Sequence, residues 1–305
     1  MNILVTGGLG FVGSHLVDQL ISTGYQVIVL DNLSTGSLNN INPKATTIIG
    51  NIIEESTLDQ LFKHYHFDYV YHLAAQINLR KSIINPRNDA ETNIIGSLAL
   101  IEKCNQYKIK KLIFSSTGGA IYSPNQDIPF SEDSLVEPSS PYGLSKLTVE
   151  KYLQMNQKLH GLDYVSLRYS NVYGPRQNPH GEAGVIAIFM NKLLKGEDIT
   201  IYGDGLQTRD FIHVSDIVKA NLLAINLSGT YNVSTNVETN VNNIANQLIT
   251  QINPNAKILY MPQIEGEMAR CRLDASKLCK ENWRPHYSFD IGLKNTILQS
   301  KSDKF

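Results

Sequence analysis

A short apolar run, NILVT at 2–6, passes directly into GGLGFVG and then into a helical pattern over 11–23. Gly7, Gly10 and Gly13 therefore stand at three-residue intervals where a strand turns into a helix, a junction that tolerates few side chains. The rest of the first half keeps the same rhythm. QVIVLD at 26–31 and TTIIG at 46–50 read as strands, 55–64 as a helix, and DYVYHLAA at 68–75 as another strand. A helix near 90–106, KLIFSS at 111–116, a long helix near 141–160 and YVSLRY at 164–169 follow. Strands that alternate with crossover helices and carry nearly continuous apolar runs belong to a parallel sheet covered on both faces. The fold class is thus α/β, a doubly wound Rossmann parallel sheet.

After about residue 170 the rhythm breaks into loops such as NVYGPRQNPHGEAG, a helix near 184–195, short strands and turns bearing Pro and Gly. The expected division is a dinucleotide-binding domain over 1–168 and a smaller mixed α/β substrate-binding region over 169–305, with a segment near 211–235 returning to the first domain. Only the polar end from Ser300 to Phe305 reads as a frayed tail.

The glycine triplet gains meaning from Asp31, eighteen residues past Gly13 at the end of the second strand. In the dinucleotide-binding pattern one glycine permits the turn, one admits the pyrophosphate and one allows close helix packing. A carboxylate at the end of strand two binds the adenosine ribose hydroxyls. It also repels a ribose phosphate, so the cofactor expected is NAD and not NADP. Asn32 and the stretch Ser34, Thr35, Gly36 are placed to complete the adenosine pocket.

Bulk properties exclude other classes. Against 28 acidic residues stand 27 basic ones, which leaves no basic field for nucleic acid. Cys104, Cys271 and Cys279 have no C-x-x-C spacing and predict neither a disulfide framework nor a zinc site. His180 and His213 lack metal-like spacing, and no metal is expected. Met1 leads straight into a strand, without signal-peptide features, and no apolar run approaches about 18 residues. A soluble cytoplasmic protein with a small-molecule partner is expected.

PYGLSK places Tyr142 and Lys146 four apart at the start of a predicted helix, side by side on one face. A free phenol ionises near 10, too high for a base at neutral pH, but a cationic lysine and a positive nicotinamide favour the phenolate. Tyr142 is then the proton acceptor and Lys146 also holds the nicotinamide ribose. A hydroxyl from Ser116 or Thr117, just past the strand KLIFS, can bond the same substrate oxygen. His72 reads as a packed histidine at a strand end rather than a proton carrier.

On these residues the sequence resembles the extended short-chain dehydrogenase/reductases, and within them the nucleotide-sugar enzymes of the UDP-galactose 4-epimerase type. TGGLGFVG looks like the family's cofactor loop, including Phe11 and Val12, and HLAAQ at 72–76 like its segment after strand four. SSTGGAIY looks like its hydroxyl donor segment and YGLSK like its Tyr-x-x-x-Lys motif. The resemblance implies cofactor contacts from Asn51, Ile52, Leu73, Ala74, Ala75, Gln76, Asn93, Ser115 and Tyr169. LRYSNVYGPRQ at 167–177, GDGLQTRDFIHVSD at 203–216 and GEMARCRLDASK at 266–277 resemble the motifs that grip a nucleoside diphosphate sugar. Arg209 and Arg270 would hold the diphosphate through charge-assisted, bidentate bonds. Asn171 would contact the diphosphate or sugar, and Val185, Phe189 and Tyr202 would build the uracil pocket.

What the resemblance implies is a UDP-hexose 4-epimerase acting on UDP-glucose and UDP-galactose or their N-acetyl forms. Tyr142 would take the proton of the sugar 4-hydroxyl as C4 passes a hydride to tightly held NAD, and the bound 4-keto sugar would turn and receive the hydride on its other face. Dehydratase relatives carry an acidic pair after the threonine, where this chain has Gly118 and Gly119. Decarboxylase relatives tend to place a glutamate nearby, where Ala120 and Ile121 stand here. Cys271 stands where a tyrosine narrows the sugar pocket of some epimerases, so a 2-acetamido group is sterically admitted. The chain departs from the family at Asn51, where an aspartate usually faces the adenine, and at Ser123, where glycine is common. Thr117 is the preferred hydroxyl, with Ser116 left open because the double glycine lengthens the segment. A homodimer built on the helices near 90–106 and 141–160 is also implied. The alternatives are another NAD-dependent nucleotide-sugar enzyme (a dehydratase, decarboxylase, reductase or 5-epimerase) and a non-catalytic NAD-binding regulator on the same fold.

Overall fold

The structure is a computed structural model that describes residues 1–180, 184–263 and 268–302. Residues 181–183 of the loop after strand YVSLRY, Gly266 and Glu267 of the GEMARC motif, and the tail past 302 lie outside the described residues.

The first half forms β1 (Asn2–Thr6), α1 (Phe11–Ser22), β2 (Gln26–Asp31), β3 (Thr46–Ile49), α2 (Glu55–His64) and β4 (Tyr69–His72). Next come α3 (Leu79–Ile84), α4 (Pro86–Ala90), one π-helical turn at Glu91–Ile95, α5 (Gly96–Gln106), β5 (Lys111–Thr117), α6 (Pro141–His160) and β6 (Asp163–Tyr169). The second half adds β7 (Asn171–Tyr173), α7 (Val185–Leu194), β8 (Ile199–Tyr202), β9 (Thr208–His213), α8 (Val214–Ala224) and β10 (Gly229–Val233). It ends with β11 (Glu238–Asn240), α9 (Val241–Ile252), β12 (Ile258–Met261), β13 (Arg270–Cys271), α10 (Ser276–Lys280) and α11 (Phe289–Ser302).

The main sheet has seven strands in the order β10-β6-β5-β4-β1-β2-β3, and its neighbours from β6 to β3 run parallel. This is the doubly wound α/β fold. Strand order reverses between β1 and β4, and in open sheets of this kind ligands bind outside the carboxyl ends of the strands at such a reversal. Leu4, Ile28, Val70, Leu112 and Phe114 of the sheet pack with Leu58, Phe62, Leu100, Val149 and Leu153 of α2, α5 and α6 in one buried cluster.

The chain divides into two compact units. The first comprises Met1–Ser123, Leu135–Tyr169 and Ile217–Tyr231, and the second Pro124–Ser134, Ser170–Asp216 and Asn232–Phe305. A buried lysine ties the last piece of the first unit in place. Lys111 Nζ donates to the carbonyls of Ile225 and Leu227 at 2.6 and 2.5 Å, just past the end of α8, and pairs with Asp163 at 3.1 Å. Cationic donors suit helix C-terminal carbonyls because those groups lack intrahelical partners.

In the second unit β9 is the hub: β11 pairs with it antiparallel, and β13 and β7 pair with it in parallel. β8 and β12 form a separate parallel pair. Tyr173, Ile186, Met190, Phe211, Ile244, Leu248 and Leu293 share its apolar core. Among the described residues no helix is long and apolar enough to cross a membrane, and no cluster of His, Cys, Asp and Glu could hold a metal ion.

Candidate active site

The loop after β1 is built so that only glycine fits. Gly7 has φ +72°, and a Cβ there would lie 2.7 Å from Ala74 N; a Cβ on Gly13 would lie 2.1 Å from Gly7 O. Gly10 caps α1 without any side-chain hydrogen bond, and the first turn, which includes Phe11, Val12 and Gly13, holds no acidic residue. The helix dipole there is not met by an acidic side chain of that turn, which suits a diphosphate.

Asp31 ends β2 beside this loop. Its Oδ2 accepts from Leu9 N at 2.9 Å and its Oδ1 from Leu33 N at 2.8 Å. A carboxylate has about four acceptor sites, so two hydroxyls can still be taken. Asn32 Oδ1 accepts from Ser34 N at 3.0 Å, Ser34 and Thr35 are exposed, and a Cβ on Gly36 would lie 2.7 Å from Asp31 Oδ1. The turn is thus wrapped on the carboxylate, with Leu33 in the left-handed region at φ 59°. Asn51 accepts from Ile53 N at 3.3 Å. Ile52 is buried, and a Cβ on Gly96 would meet its side chain at 2.9 Å. These residues fit an adenine dinucleotide.

Ser140 and Pro141 fix the start of α6. The Ser140 side chain accepts from Gly143 N at 3.1 Å, and Pro141 occupies the first helical position. Gly143, inside the YGLSK motif, lets the helix approach the Ala120 carbonyl: a Cβ there would sit 2.0 Å from its oxygen. Tyr142, half-buried, and Lys146, buried, then lie one turn apart. Lys146 Nζ donates to Ser115 O at 2.9 Å and lies 4.8 Å from the Phe114 ring centroid. Burial pulls the ammonium down to about 8, against the upward pull of Asp89 and Glu150. Burial pushes the Tyr142 phenol up to about 12, the Asp89 charge adds to this, and a hydrogen bond with Thr117 works the other way. The phenolate expected from the sequence counts on a lysine and a positive nicotinamide together, and burial opposes it. Desolvation outweighs its polar neighbours, and a further positive charge is needed to favour the phenolate.

The two hydroxyls left open by the sequence separate clearly. Thr117 is bonded to Tyr142, whereas Ser116 Oγ donates to Glu150 Oε1 at 2.5 Å. Glu150 also takes three hydrogen bonds from the buried Arg168. Ser115 Oγ lies 3.0 Å from Tyr169 Oη, which donates to Asn221 Oδ1 at 3.1 Å.

After β4, Leu73 N donates to Thr6 O at 3.1 Å and Ala74 N to Thr6 Oγ1 at 3.3 Å, while Ala75 is half-buried. Gln76 N donates to Asn93 Oδ1 at 2.8 Å, and Asn93 Nδ2 returns to Gln76 O at 2.9 Å. Asn93 lies in the π-helical turn, which interrupts the continuous helix expected near 90–106; such turns concentrate at functional sites. His72 bridges Thr6 Oγ1 at 2.8 Å and Ser97 Oγ at 2.9 Å. Burial, with the Lys146 charge, pushes its imidazole down to about 3, so it stays neutral as a packed histidine.

In the second unit the small sheet carries Asn171, Arg209, Arg270 and Cys271, four of the residues expected on the substrate side. Arg209 on β9 is in register with Cys271 of β13 on one side and Thr239 of β11 on the other. Arg270, beside them, pairs with Glu238 through Nε–Oε1 at 3.0 Å and Nη2–Oε2 at 2.6 Å, which holds that carboxyl down to about 2. Glu238 lies outside every motif and has no sequence signal. Asn171 starts β7, Val185 starts α7 and is half-buried, and Tyr202 ends β8 with 46 % exposure. Phe189 differs from its expected place in a pocket wall: at 2 % exposure it belongs to the core. Cys271 is also buried, which pushes its thiol up to about 11.

The chain belongs to the NAD-dependent epimerase/dehydratase family, whose model matches residues 3–234. It is 36 % identical over 305 residues to a UDP-glucose 4-epimerase of Mycolicibacterium smegmatis, covering 97 % of each chain. Among solved structures it is similar to the UDP-glucose 4-epimerase of Thermotoga maritima with UDP-glucose, at 44 % identity and TM-score 0.98 over 100 % of both chains. It is also similar to the Thermus thermophilus UDP-glucose 4-epimerase complex with NAD, at 38 % identity and TM-score 0.94 over 99 % of both.

Proposed function

We propose that this protein is a UDP-hexose 4-epimerase that interconverts UDP-glucose and UDP-galactose, or their N-acetyl forms, with NAD held throughout the cycle. The observation that carries this reading is the Tyr142 hydroxyl, hydrogen-bonded to Thr117 and one helical turn from Lys146. The similarity to epimerases of known structure supports the substrate class. NAD, when bound, supplies a reversible hydride acceptor at its nicotinamide.

Tyr142 takes the proton of the sugar 4-hydroxyl and returns it once the configuration at C4 has inverted. Thr117 shares that oxygen's hydrogen bonding and orients it toward the phenol. Lys146 places positive charge beside the pair and, through Ser115 O, keeps its ammonium fixed. Gly7, Gly10 and Gly13 hold the diphosphate of the cofactor, and Asp31 holds its adenosine ribose. Arg209 and Arg270 bind the diphosphate of the substrate, with Asn171, Val185 and Tyr202 beside the nucleoside or sugar. A guanidinium has five N–H donors, so pairing with Glu238 occupies only part of Arg270. With Gly118 and Gly119 in place of an acidic pair, no side chain of that segment can drive dehydration at neighbouring carbons.

Incubating the purified protein with UDP-galactose, UDP-N-acetylgalactosamine and UDP-glucuronate separately, without added reductant, tests the reading by NMR of the products. The expected product is the C4 epimer at unchanged mass. Loss of water or carbon dioxide would move the chemistry to another member of the family, and no turnover despite bound NAD would make the protein a regulator.

A homodimer is part of the proposal. Leu144, Met155 and Leu159 are exposed along one side of α6, and Ile95 is exposed just before α5. Light scattering should give twice the 34.0 kDa chain mass; a single-chain mass at working concentration rejects it. The cytoplasmic location rests on three unpaired cysteines, and appearance of the native protein outside the cytosolic fraction would reject it.

A further inference from the structure

Asp89 has no part in the reaction as described, yet the fold keeps its carboxylate inside. The residue lies on α4 and is 1 % exposed. Its Oδ1 accepts from Gln76 Nε2 at 2.8 Å and from Asn93 Nδ2 at 3.0 Å. Its Oδ2 is buried with no hydrogen-bond partner. A carboxylate oxygen left in this condition is costly, and such groups persist where a role retains them. Two links tie its surroundings to the start of α6. Asn93 Nδ2 also reaches Ser145 Oγ at 3.3 Å, and that hydroxyl donates to Tyr142 O at 2.9 Å. Ser82 Oγ, on α3, accepts from Tyr142 N at 3.2 Å.

We propose that Asp89 is a positioning residue of the reaction: a fixed, buried negative charge, clamped by Gln76 and Asn93, that balances the positive charge gathered around Tyr142 and Lys146. This rests on the epimerase reading. The effect is electrostatic and acts on both members of the pair in one direction. A negative charge strengthens proton binding by Lys146, offsetting the burial that would otherwise neutralise the amine near physiological pH. It also strengthens proton binding by Tyr142, so that ionisation of the phenol waits for a positive partner.

The other charged groups nearby do not replace it. Glu150 acts on Lys146 in the same sense but is committed to Arg168 and Ser116. His72 is neutral. Arg80, Lys81, Arg87 and Glu91, on α3, α4 and the π-helical turn, are exposed to solvent.

The test is Asp89→Asn, which keeps the size and one acceptor oxygen but removes the charge. In the cofactor-free protein, NMR of lysine labelled at Cε, assigned with Lys146→Arg, should show Lys146 titrating near 8 in the original chain and about one pH unit lower in the variant. With NAD bound, both limbs of the kcat/KM profile should move toward acid, with about tenfold loss at pH 8 and recovery at lower pH. Asp89→Ser, also neutral, serves as the second variant if the amide does not fold. Reduced activity with the Lys146 midpoint and both limbs unmoved would make Asp89 a packing residue and overturn the proposal. A shifted Lys146 midpoint in a chain that epimerises no UDP-sugar would support the placement of Asp89 and reject the epimerase reading instead.

Discussion

Replacing Tyr142 by phenylalanine is expected to lower kcat for C4 epimerisation about a thousandfold, the middle of the range for loss of a positioned acid or base. The substitution removes one oxygen from a half-buried ring, so the packing of α6 against its neighbours remains. Thr117 loses its phenol partner, a neutral hydrogen bond worth about 1 kcal/mol. The fold and NAD content should therefore survive while turnover does not. Product NMR, NAD released on denaturation and thermal unfolding measure the three quantities separately. A variant retaining more than a tenth of kcat would mean that another group moves the proton. The phenol, held up at about 12 by desolvation, also makes the direction of coupling definite. Whatever positive charge brings Tyr142 down must itself bind more tightly as pH rises, because binding and ionisation are linked.

Gly13→Ala is expected to abolish retention of NAD. The added Cβ would lie 2.1 Å from the Gly7 carbonyl oxygen, a backbone atom that cannot swing aside. Either α1 retreats from the loop or the loop opens, and both move the N–H groups that would face the pyrophosphate. Overpacking of this kind costs about 1–3 kcal/mol of stability, visible by urea unfolding, with NAD affinity lowered at least about a hundredfold if two or more charge-assisted hydrogen bonds are lost. Gly24→Ala supplies the contrast. That residue also has a positive φ, +90°, but nothing lies within 4 Å of its Cβ position. A backbone penalty with unchanged NAD binding is expected there. Equal NAD loss in both variants would show that instability, and not the shape of the phosphate loop, governs cofactor binding.

The strands and helices of the first half were legible because buried parallel strands and crossover helices impose different periods on the chain, and β1, α1, β2 and α2 fall within a residue of their expected limits. The glycine loop after β1 was legible for a similar reason: close backbone approach leaves its mark as glycine at fixed spacing. Glu238 and Asp89 were not. Each matters through partners brought near by folding, Arg270 from 32 residues away for the first and Gln76 from 13 residues away for the second, and an ordinary acidic residue in a strand or helix looks the same in sequence. The spacing of Tyr142 and Lys146 shows the lysine but not the burial that opposes ionisation of the phenol. Phe189 was placed in the uracil pocket by the resemblance alone, and α7 packs it into the core. The piece Pro124–Ser134, which belongs to the second unit, has a polar sequence with no period to mark its allegiance.

The seven-stranded sheet has a consequence for how the molecule is made. Its edge strand β10 ends at Val233, and the buried ammonium of Lys111 finds its carbonyl partners only at Ile225 and Leu227. During synthesis the amino-terminal half emerges with six of its strands ready, but one side of β6 and a buried cation wait for chain not yet made. Domains generally fold as units as they leave the ribosome; this one must hold an unfinished edge until most of the polypeptide has been translated. The interval in which a nascent chain exposes an open strand to its neighbours is therefore set by topology, by how late in the sequence the last piece of the first unit is encoded.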